Sequence, residues 1–167
     1  WLAARVRRLR PDARIIVGGP QCFVEYEPEA IAADPNVDGV VIGEGEYSAV
    51  DLVKWYGNGA FGDPPPGTIV NRDGRAIHGG LRPLLRTLEG LALPDYTGLP
   101  MRKYTDTGRL PLFTSRGCVK SCVFCIEQVI WERFRYRSAA HVFAEIEAGV
   151  RQWGATRFEF NDSLFNG

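Results

Sequence analysis

Three of the chain's four cysteines, Cys118, Cys122 and Cys125, lie within eight positions of one another. Their C-x3-C-x2-C spacing allows three thiolates to bind three corners of a cubane iron–sulfur cluster, because each short gap lets the backbone curl around the inorganic core. The fourth iron would then have no protein ligand. An enzyme needs such an open iron to bind a small molecule at the cluster, whereas an electron carrier normally fills all four corners with cysteine. The spacing therefore predicts a catalytic iron–sulfur site.

Two other uses of these cysteines compete with the cluster. A structural zinc site usually has paired C-x2-C knuckles and four ligands, and the fourth ligand here would come from a position remote in sequence. The candidates for that ligand are Cys22, His78 and His141. The cysteines could also be buried as small apolar side chains. The surrounding residues oppose that role because they are polar or turn-forming. These residues are Arg116, Gly117, Lys120 and Ser121.

The first third of the chain alternates between predicted helices and strands. Residues 1–10 carry apolar residues at helical spacing among arginines, which predicts a helix with a solvated basic face. Apolar segments at 14–17 and 38–42 are predicted as buried strands, and each runs into a glycine-rich turn. A helix beginning at Pro28 and another ending at Gly57 follow these strands. The alternation predicts an α/β fold with a parallel sheet covered by helices, part of a Rossmann-like (flavodoxin-like) domain.

The middle of the chain has the composition of a connection between domains. Residues 57–67 are rich in glycine and proline and mark a domain edge. Residues 67–77 predict a small hairpin, because Asp73-Gly74 supplies the positive φ that a tight turn requires. We therefore predict three segments: a Rossmann-like part at 1–58, a linker with a hairpin at 59–109, and a barrel part at 110–167.

The cysteine loop resembles the signature of the radical S-adenosylmethionine (radical SAM) superfamily, including the aromatic Phe124 just before the last cysteine. Residues 110–117 are similar to the first barrel strand and its exit in cobalamin-associated members. The resemblance implies that Cys118, Cys122 and Cys125 hold a 4Fe-4S cluster. It also implies that the open iron binds S-adenosylmethionine, which an electron cleaves to a 5′-deoxyadenosyl radical. Phe124 becomes a cofactor contact, and flavodoxin or ferredoxin is the expected reductant.

The residues after the loop predict one helix and one strand. Ser138 is a favourable N-cap, and apolar residues continue at helical spacing to Gly154. Residues 157–160 are predicted as the strand that follows. Both strand exits of a βαβ unit lie at the same end of the sheet, where barrel enzymes hold their active sites, so Asn161 and Asp162 are expected near the cluster. In the superfamily this exit often contacts S-adenosylmethionine. The usual Gly-Gly-Glu is absent here, so Asp162 is predicted either as that contact or as a turn cap.

A second resemblance concerns the two glycine-rich strand exits. The segments IIVGGP at 15–20 and VVIGEGE at 40–46 are similar to the last third of the cobalamin-binding domain that precedes the radical domain in many of these enzymes. That likeness implies a groove for the cobalamin nucleotide tail. The groove residues by this likeness are Gly18, Gly19, Gly43 and Glu44. The alternative is that these are ordinary strand-exit turns that need small residues.

One feature departs from the family pattern. Many cobalamin-binding domains carry Asp-x-His-x-x-Gly, whose imidazole becomes the lower cobalt ligand, and neither His78 nor His141 lies in that motif. Three explanations stay open: the motif precedes Trp1, this branch binds cobalamin without it, or the domain has lost the cofactor. A start at Trp1 and an end shortly after a predicted strand are typical of a piece of a longer protein.

Composition excludes some classes of partner. The chain is 45% hydrophobic and 24% charged, and its 20 basic residues balance its 20 acidic ones, so no bulk field attracts nucleic acid or an anionic membrane. No apolar run approaches the roughly 20 residues that span a bilayer. Cysteines clustered in one loop favour a reducing, cytoplasmic setting.

Together these features predict the end of a cobalamin-binding domain followed by the first βαβ unit of a radical SAM partial (β/α) barrel. Relatives of this kind often transfer a methyl group from cobalt to a substrate radical, so the resemblance implies methylation of an unactivated carbon in a small-molecule or peptide substrate. Rearrangement or cyclisation without methyl transfer remains open. A non-catalytic iron–sulfur electron carrier or a degenerate cofactor-binding module is the alternative from another class.

Overall fold

The chain is an α/β protein, described here by a computed structural model over residues 1–23, 27–104 and 108–165. It divides into two compact units, Trp1–Leu84 and Leu85–Gly167. Within the described ranges, none of the helices combines the length and the apolar character that crossing a bilayer requires.

The first unit is built on a four-stranded mixed sheet. Its strands are β1 (Ile16–Val17), β2 (Gly39–Val41), β3 (Thr68–Arg72) and β4 (Arg75–His78), and they lie in that order. Strands β1 and β2 are parallel, whereas β2 pairs antiparallel with β3, and β3 with β4. The predicted hairpin is present, with Asp73 at φ 54° and Gly74 at φ 78° in its turn. The predicted parallel pair is present, but the hairpin, which was assigned to the linker, pairs antiparallel with β2 and makes the sheet mixed.

Helices cover both faces of this sheet. The helices of the unit are α1 (Leu2–Leu9), α2 (Pro28–Ala32) and α3 (Gly45–Gly57). On one face the buried side chains of Val40 and Ile69 pack with Ala32 of α2. On the other face their chain neighbours Val41 and Val70 pack with Leu52 of α3. Successive strand residues point to opposite faces, so a strand buried on both sides reads as the continuous apolar run seen in the sequence.

Asp38 joins α1 to the start of β2. Its carboxylate accepts hydrogen bonds from Arg7 Nη2 at 2.6 Å, from Arg14 Nη1 at 3.0 Å and from the Ile15 backbone N–H at 2.7 Å. Burial raises the pKa of Asp38, but these hydrogen bonds outweigh it and leave the pKa below its ordinary value. Arg7 is therefore part of the framework of this unit, and the prediction that it belongs to a solvated basic face was wrong.

The second unit contains a βαβ arrangement around the cysteines. Its elements are α4 (Met101–Tyr104), β5 (Arg109–Leu112), β6 (Ser115–Arg116), α5 (Glu127–Trp131), β7 (Arg135–Tyr136), α6 (Ala139–Trp153) and β8 (Arg157–Phe160). Strands β5 and β8 are parallel neighbours, with Leu112 opposite Phe160 at their carboxyl ends. Strands β6 and β7 form a short antiparallel ladder. The strand exits of β5 and β8 therefore lie side by side, as the sequence predicted.

Helix α6 begins and ends where the sequence predicted. Ser138 Oγ accepts a hydrogen bond from the His141 N–H at 3.2 Å, and Gly154 takes the left-handed conformation at φ 65°. The helix packs closely on both parallel strands at Gly149, where an added Cβ would lie 3.0 Å from the Phe158 ring and 3.2 Å from Leu110. This close packing fixes the crossover that brings the two strand exits together.

Candidate metal centre

The three cysteines lie on one loop, residues 117–126, which we call the cysteine loop. It connects β6 to α5 and contains no helix or strand. All three thiols are free; those of Cys118 and Cys125 are half-buried, and that of Cys122 is exposed. The Cys125 N–H donates to the Cys122 carbonyl at 3.0 Å, which closes a turn between them. The Lys120 N–H donates to Cys118 Sγ at 3.4 Å.

The start of the cysteine loop is anchored to the β6–β7 ladder and to α5. At its start, Arg116 pairs with Arg135 in the β6–β7 ladder, and the Arg116 guanidinium lies 5.3 Å from the centre of the Trp131 ring on α5. The next residue, Gly117, is buried at φ 84°, and an added Cβ would lie 2.6 Å from the Arg133 carbonyl oxygen. The backbone just before β7 therefore leaves no room for a side chain at position 117, where the cysteine loop begins.

The three cysteine thiols have the chemistry that an iron–sulfur cluster needs from its ligands. Three thiols on one short, anchored loop are soft ligands of the kind that hold iron–sulfur clusters, and no disulfide occupies them. The side chains do not converge in this structure: among the described residues, no three His, Cys, Asp or Glu side chains are close enough together to hold a metal ion. The ligand assignment of Cys118, Cys122 and Cys125 therefore stays a prediction from sequence.

Phe124 lies at the tip of the cysteine loop. Its side chain is 88% exposed, beside the fully exposed Val123, in the turn between Cys122 and Cys125. An exposed aromatic at this point is free to contact a group bound by the loop. Its role as a cofactor contact stays a prediction.

The two neighbouring strand exits are joined through Asp162. Its Oδ1 accepts from the Thr114 N–H at 3.0 Å, from Thr114 Oγ1 at 2.7 Å and from Ser115 Oγ at 2.5 Å. The backbone repeats the connection, since the Asn161 N–H donates to the Leu112 carbonyl at 2.9 Å. The structure thus places Asp162 beside the start of the cysteine loop, as expected, and gives its carboxylate partners within the protein. A contact with S-adenosylmethionine stays a prediction.

A buried ion pair that the sequence did not reveal lies beside this exit. Arg137 Nη1 is 2.6 Å from Glu145 Oε2, and the two side chains are only 10% and 12% exposed. The same Nη1 donates to the Phe113 carbonyl at 2.7 Å, directly after β5. Eight residues separate the partners across a strand end and a helix start, a spacing that no periodicity rule singles out. Arg137 ties the second turn of α6 to the exit of β5.

The glycine-rich turns of the first unit leave two stretches of backbone open. Gly19 and Gly43 take positive φ angles of 99° and 71°, and an added Cβ at either would meet no atom within 4 Å. At Gly18 an added Cβ would make only ordinary contacts, 3.6 Å from Val41. Glu44 is 8% exposed and occupies the N-cap position of α3, without a capping hydrogen bond to its side chain. Because β1 and β2 are parallel, all four residues follow strand exits at the same edge of the sheet.

The zinc interpretation needed a fourth ligand from Cys22, His78 or His141. Cys22 is buried in the core of the first unit, and this burial raises the pKa of its thiol. His78 Nε2 lies 3.3 Å from Glu29 in the same unit, and His141 Nδ1 lies 3.8 Å from Glu89 in the second. None of the three belongs to a metal-binding group within the part of the chain that the structure describes.

Comparison with known proteins finds relatives among curated enzymes. No model of a known protein family matches the chain. Among curated proteins, an uncharacterized methyltransferase of Pyrococcus horikoshii is 30% identical over 169 residues, which cover 98% of this chain and 36% of the relative. Anaerobic magnesium-protoporphyrin IX monomethyl ester cyclase of Rubrivivax gelatinosus is 29% identical, covering 87% of this chain and 27% of the relative. Cytidylyl-2-hydroxyethylphosphonate methyltransferase of Streptomyces wedmorensis is 26% identical, covering 91% and 34%. The chain spans about a third of the length of the curated relatives it matches.

A solved structure shares the fold over nearly the whole chain. The radical S-adenosylmethionine methyltransferase TsrM of Kitasatospora setae, with tryptophan substrate and an S-adenosylmethionine analogue bound, superposes with a TM-score of 0.73 at 23% identity. The match covers 99% of this chain and 32% of TsrM. A second TsrM structure, with cobalamin and a [4Fe-4S] cluster bound, gives the same TM-score at 21% identity.

These comparisons confirm the resemblance that the sequence predicted. The chain is similar to about a third of each of these methyltransferases and cyclases, and its α/β fold aligns with that of TsrM. These curated relatives are enzymes.

Proposed function

We propose that this chain supplies the cluster-binding and part of the cobalamin-binding portion of a radical SAM enzyme, with Cys118, Cys122 and Cys125 as the cluster ligands. The observation that carries the proposal is the position of three free thiols on one anchored loop at the exit of β5. A 4Fe-4S cluster bound there with one open iron would supply the electron that cleaves S-adenosylmethionine. The protein contributes the thiolates and the anchored start of the loop, and Phe124 stands at the loop tip as a candidate cofactor contact.

In this proposal the parallel pair β5 and β8, with α6 between them, is the first βαβ unit of a partial barrel beginning near residue 110. A crossover between parallel strands places both strand exits on the face that holds the active site in barrel enzymes. The pair β1 and β2, with helices on both faces, is the end of a Rossmann-like domain that closes near residue 58. Residues 59–109 connect the two domains, and their hairpin completes the first sheet.

The proposed cobalamin groove lies along the exits of β1 and β2. Gly18, Gly19 and Gly43 give a ligand access to the backbone, because no protein atom fills the space over the last two. Ligands of open α/β sheets bind at this edge, beyond the carboxyl ends of parallel strands. Glu44 lies at the amino end of α3 and borders the same edge.

Methylation of an unactivated carbon is the reaction we favour. Two of the curated relatives are methyltransferases, and so is the structurally similar TsrM. A radical reaction without methyl transfer is the second candidate, since three relatives are anaerobic magnesium-protoporphyrin IX monomethyl ester cyclases. A small-molecule substrate is consistent with the tryptophan bound to TsrM, and a low-potential reductant of the flavodoxin or ferredoxin kind would deliver the electron.

Anaerobic reconstitution of the chain with iron and sulfide tests the proposal. We expect about four irons and four sulfides per chain, the content of one cubane cluster. Cys118→Ser, Cys122→Ser and Cys125→Ser should each lower this content sharply. Cys22→Ala is the matched control because Cys22 lies in the core of the first unit. Equal iron content in the loop variants and the wild type would contradict the ligand assignment.

The reaction is then read from the fate of S-adenosylmethionine labelled in its methyl group. With reductant present, 5′-deoxyadenosine is the expected product of the cluster-loaded chain within the complete enzyme. Label recovered in a product supports methyl transfer, whereas 5′-deoxyadenosine without label transfer supports the cyclase-like alternative.

A further inference from the structure

One carboxylate oxygen of Asp162, Oδ1, is occupied by hydrogen bonds within the protein. Its Oδ1 accepts three hydrogen bonds, two from Thr114 and one from Ser115, at 2.5 to 3.0 Å. Its Oδ2 also lies 3.2 Å from the Thr114 N–H. Hydrogen bonds to an ionised carboxylate are shorter and about twice as strong as neutral ones. An oxygen with three donors has no lone pair left for a further ligand.

The donors to Asp162 stand immediately before the cysteine loop. Ser115 is 4% exposed and opens β6, and only Arg116 and Gly117 separate it from Cys118. Gly117 is itself fixed against the Arg133 carbonyl. The direction in which the chain leaves β5 therefore depends on Asp162, and the first thiol follows three residues later.

We propose that Asp162 is a positioning residue for the cysteine loop. Its carboxylate, on the exit of β8, holds Thr114 and Ser115 on the exit of β5 and so sets where Cys118 enters the loop. Asp162 therefore acts as a cap, as one of the two predictions from sequence held, but it caps the exit of the neighbouring strand through Thr114 and Ser115. The value of this position for catalysis rests on the proposed function, in which Cys118 ligates the cluster.

The test compares variants in which only the hydrogen bonds change. Asp162→Ala removes the acceptor, and Thr114→Val removes one hydroxyl donor at nearly constant shape. Thr114→Ser keeps that hydroxyl and is the matched control. The readout is the rate at which iodoacetamide alkylates each cysteine of the cluster-free chain, measured by mass spectrometry of peptides. Cys122 serves as the internal reference because it is already exposed.

We expect Thr114→Val to raise the alkylation rate of Cys118 about ten-fold, the factor that corresponds to losing one charge-assisted hydrogen bond. Asp162→Ala removes all of these hydrogen bonds and should raise the rate at least as much. Cys122 should change little, Thr114→Ser should behave as the wild type, and the double variant Asp162→Ala/Thr114→Val should match Asp162→Ala. Equal increases at Cys118 and Cys125 with a lower thermal midpoint would show a merely stabilising role and overturn the proposal.

A direct contact with S-adenosylmethionine gives a different pattern. In that case Asp162→Ala would weaken S-adenosylmethionine binding to the cluster-loaded chain, while Thr114→Val and the alkylation rate of Cys118 would not change. That result would also overturn the proposal. If the wild-type chain takes up no cluster, the proposed function fails, but the alkylation rates still decide whether Asp162 positions Cys118.

Discussion

Gly117 packs so closely against the Arg133 carbonyl that a Cβ at this position would lie 2.6 Å from the oxygen. The contact holds the start of the cysteine loop against the backbone of Arg133 and Phe134, which precede β7. These are backbone atoms, so they cannot move aside by a change of side-chain rotamer.

Gly117→Ala should therefore destabilise the loop root. The left-handed φ of 84° costs roughly 1–2 kcal/mol with a side chain, and the clash with backbone adds about 1–3 kcal/mol. Gly98→Ala is the matched control, because Gly98 has the same φ of 84° but open space around it. Hydrogen exchange should speed up in residues 127–137 for Gly117→Ala only. Equal exchange in the two variants would show that the contact does not anchor the loop.

The proposed cobalamin groove predicts an effect at Gly18. Gly18→Ala should fold normally, because the added Cβ meets Val41 at an ordinary 3.6 Å. The methyl group would nevertheless hold a ligand away from the backbone and weaken hydroxocobalamin binding roughly ten-fold, or about 1.4 kcal/mol. Gly57→Ala, at the end of α3 with open space around it, should leave binding unchanged. An absorbance titration measures both, and unaltered binding in Gly18→Ala would remove this residue from the groove.

The buried pair of Arg137 and Glu145 predicts a large loss of stability. Glu145→Gln leaves the Arg137 guanidinium without its carboxylate at 10% exposure, which should cost about 3 kcal/mol. Glu147→Gln is the control two residues further along the same helix, since its pair with Arg151 at 3.2 Å is exposed and contributes about 0.3–0.5 kcal/mol. Urea unfolding of the two variants separates these values. A cost below that of Glu147→Gln would contradict the role assigned to the buried pair.

The N-cap of α6 predicts a dependence of stability on pH. Hydrogen bonds from the Ser138 N–H, and next from the Ser138 hydroxyl, hold the pKa of Glu89 below its ordinary value of 4.5. A carboxyl whose pKa is lower in the folded state stabilises the fold above pH 4.5, and this contribution is lost as the pH falls through the folded-state pKa. When the pH is lowered below 5, the free energy of unfolding of Glu89→Gln should therefore fall less than that of the wild type.

The matched control for Glu89 is Asp63→Asn, which removes an exposed acid in the other unit. Thermal unfolding across acidic pH compares the two variants with the wild type. Asp63→Asn should follow the wild-type dependence of stability on pH. If Glu89→Gln does so as well, the N-cap of α6 does not depend on the Glu89 carboxylate.

The bounds of α6 follow from local signals in the sequence, whereas α4, α5 and the β6–β7 ladder of the same unit were not predicted. Ser138 and Gly154 bound α6 as predicted, because capping and the left-handed stop are decided by residues within one turn of the helix end. The proximity of Asp162 to the cysteine loop also followed, since the geometry of a βαβ unit dictates it.

Contacts between distant residues could not be predicted in the same way. The hairpin contains apolar Ile69 and Val70, but its sequence does not say which strand it pairs with. Arg7 and Asp38 are 31 residues apart, and opposite charges at such a distance have many possible partners. The choice of Thr114 and Ser115 as donors to Asp162 depends on register between β5 and β8, which only the fold sets.

Electron paramagnetic resonance of the reconstituted, reduced chain, with and without S-adenosylmethionine, would show whether the three cysteines hold a cluster with an open iron. We expect a cubane signal that changes when S-adenosylmethionine is added, that persists in Cys22→Ala and that is lost in Cys118→Ser. A cubane signal indifferent to S-adenosylmethionine would indicate a fully ligated electron carrier. The absence of any cluster in the wild-type chain would contradict the assignment of Cys118, Cys122 and Cys125.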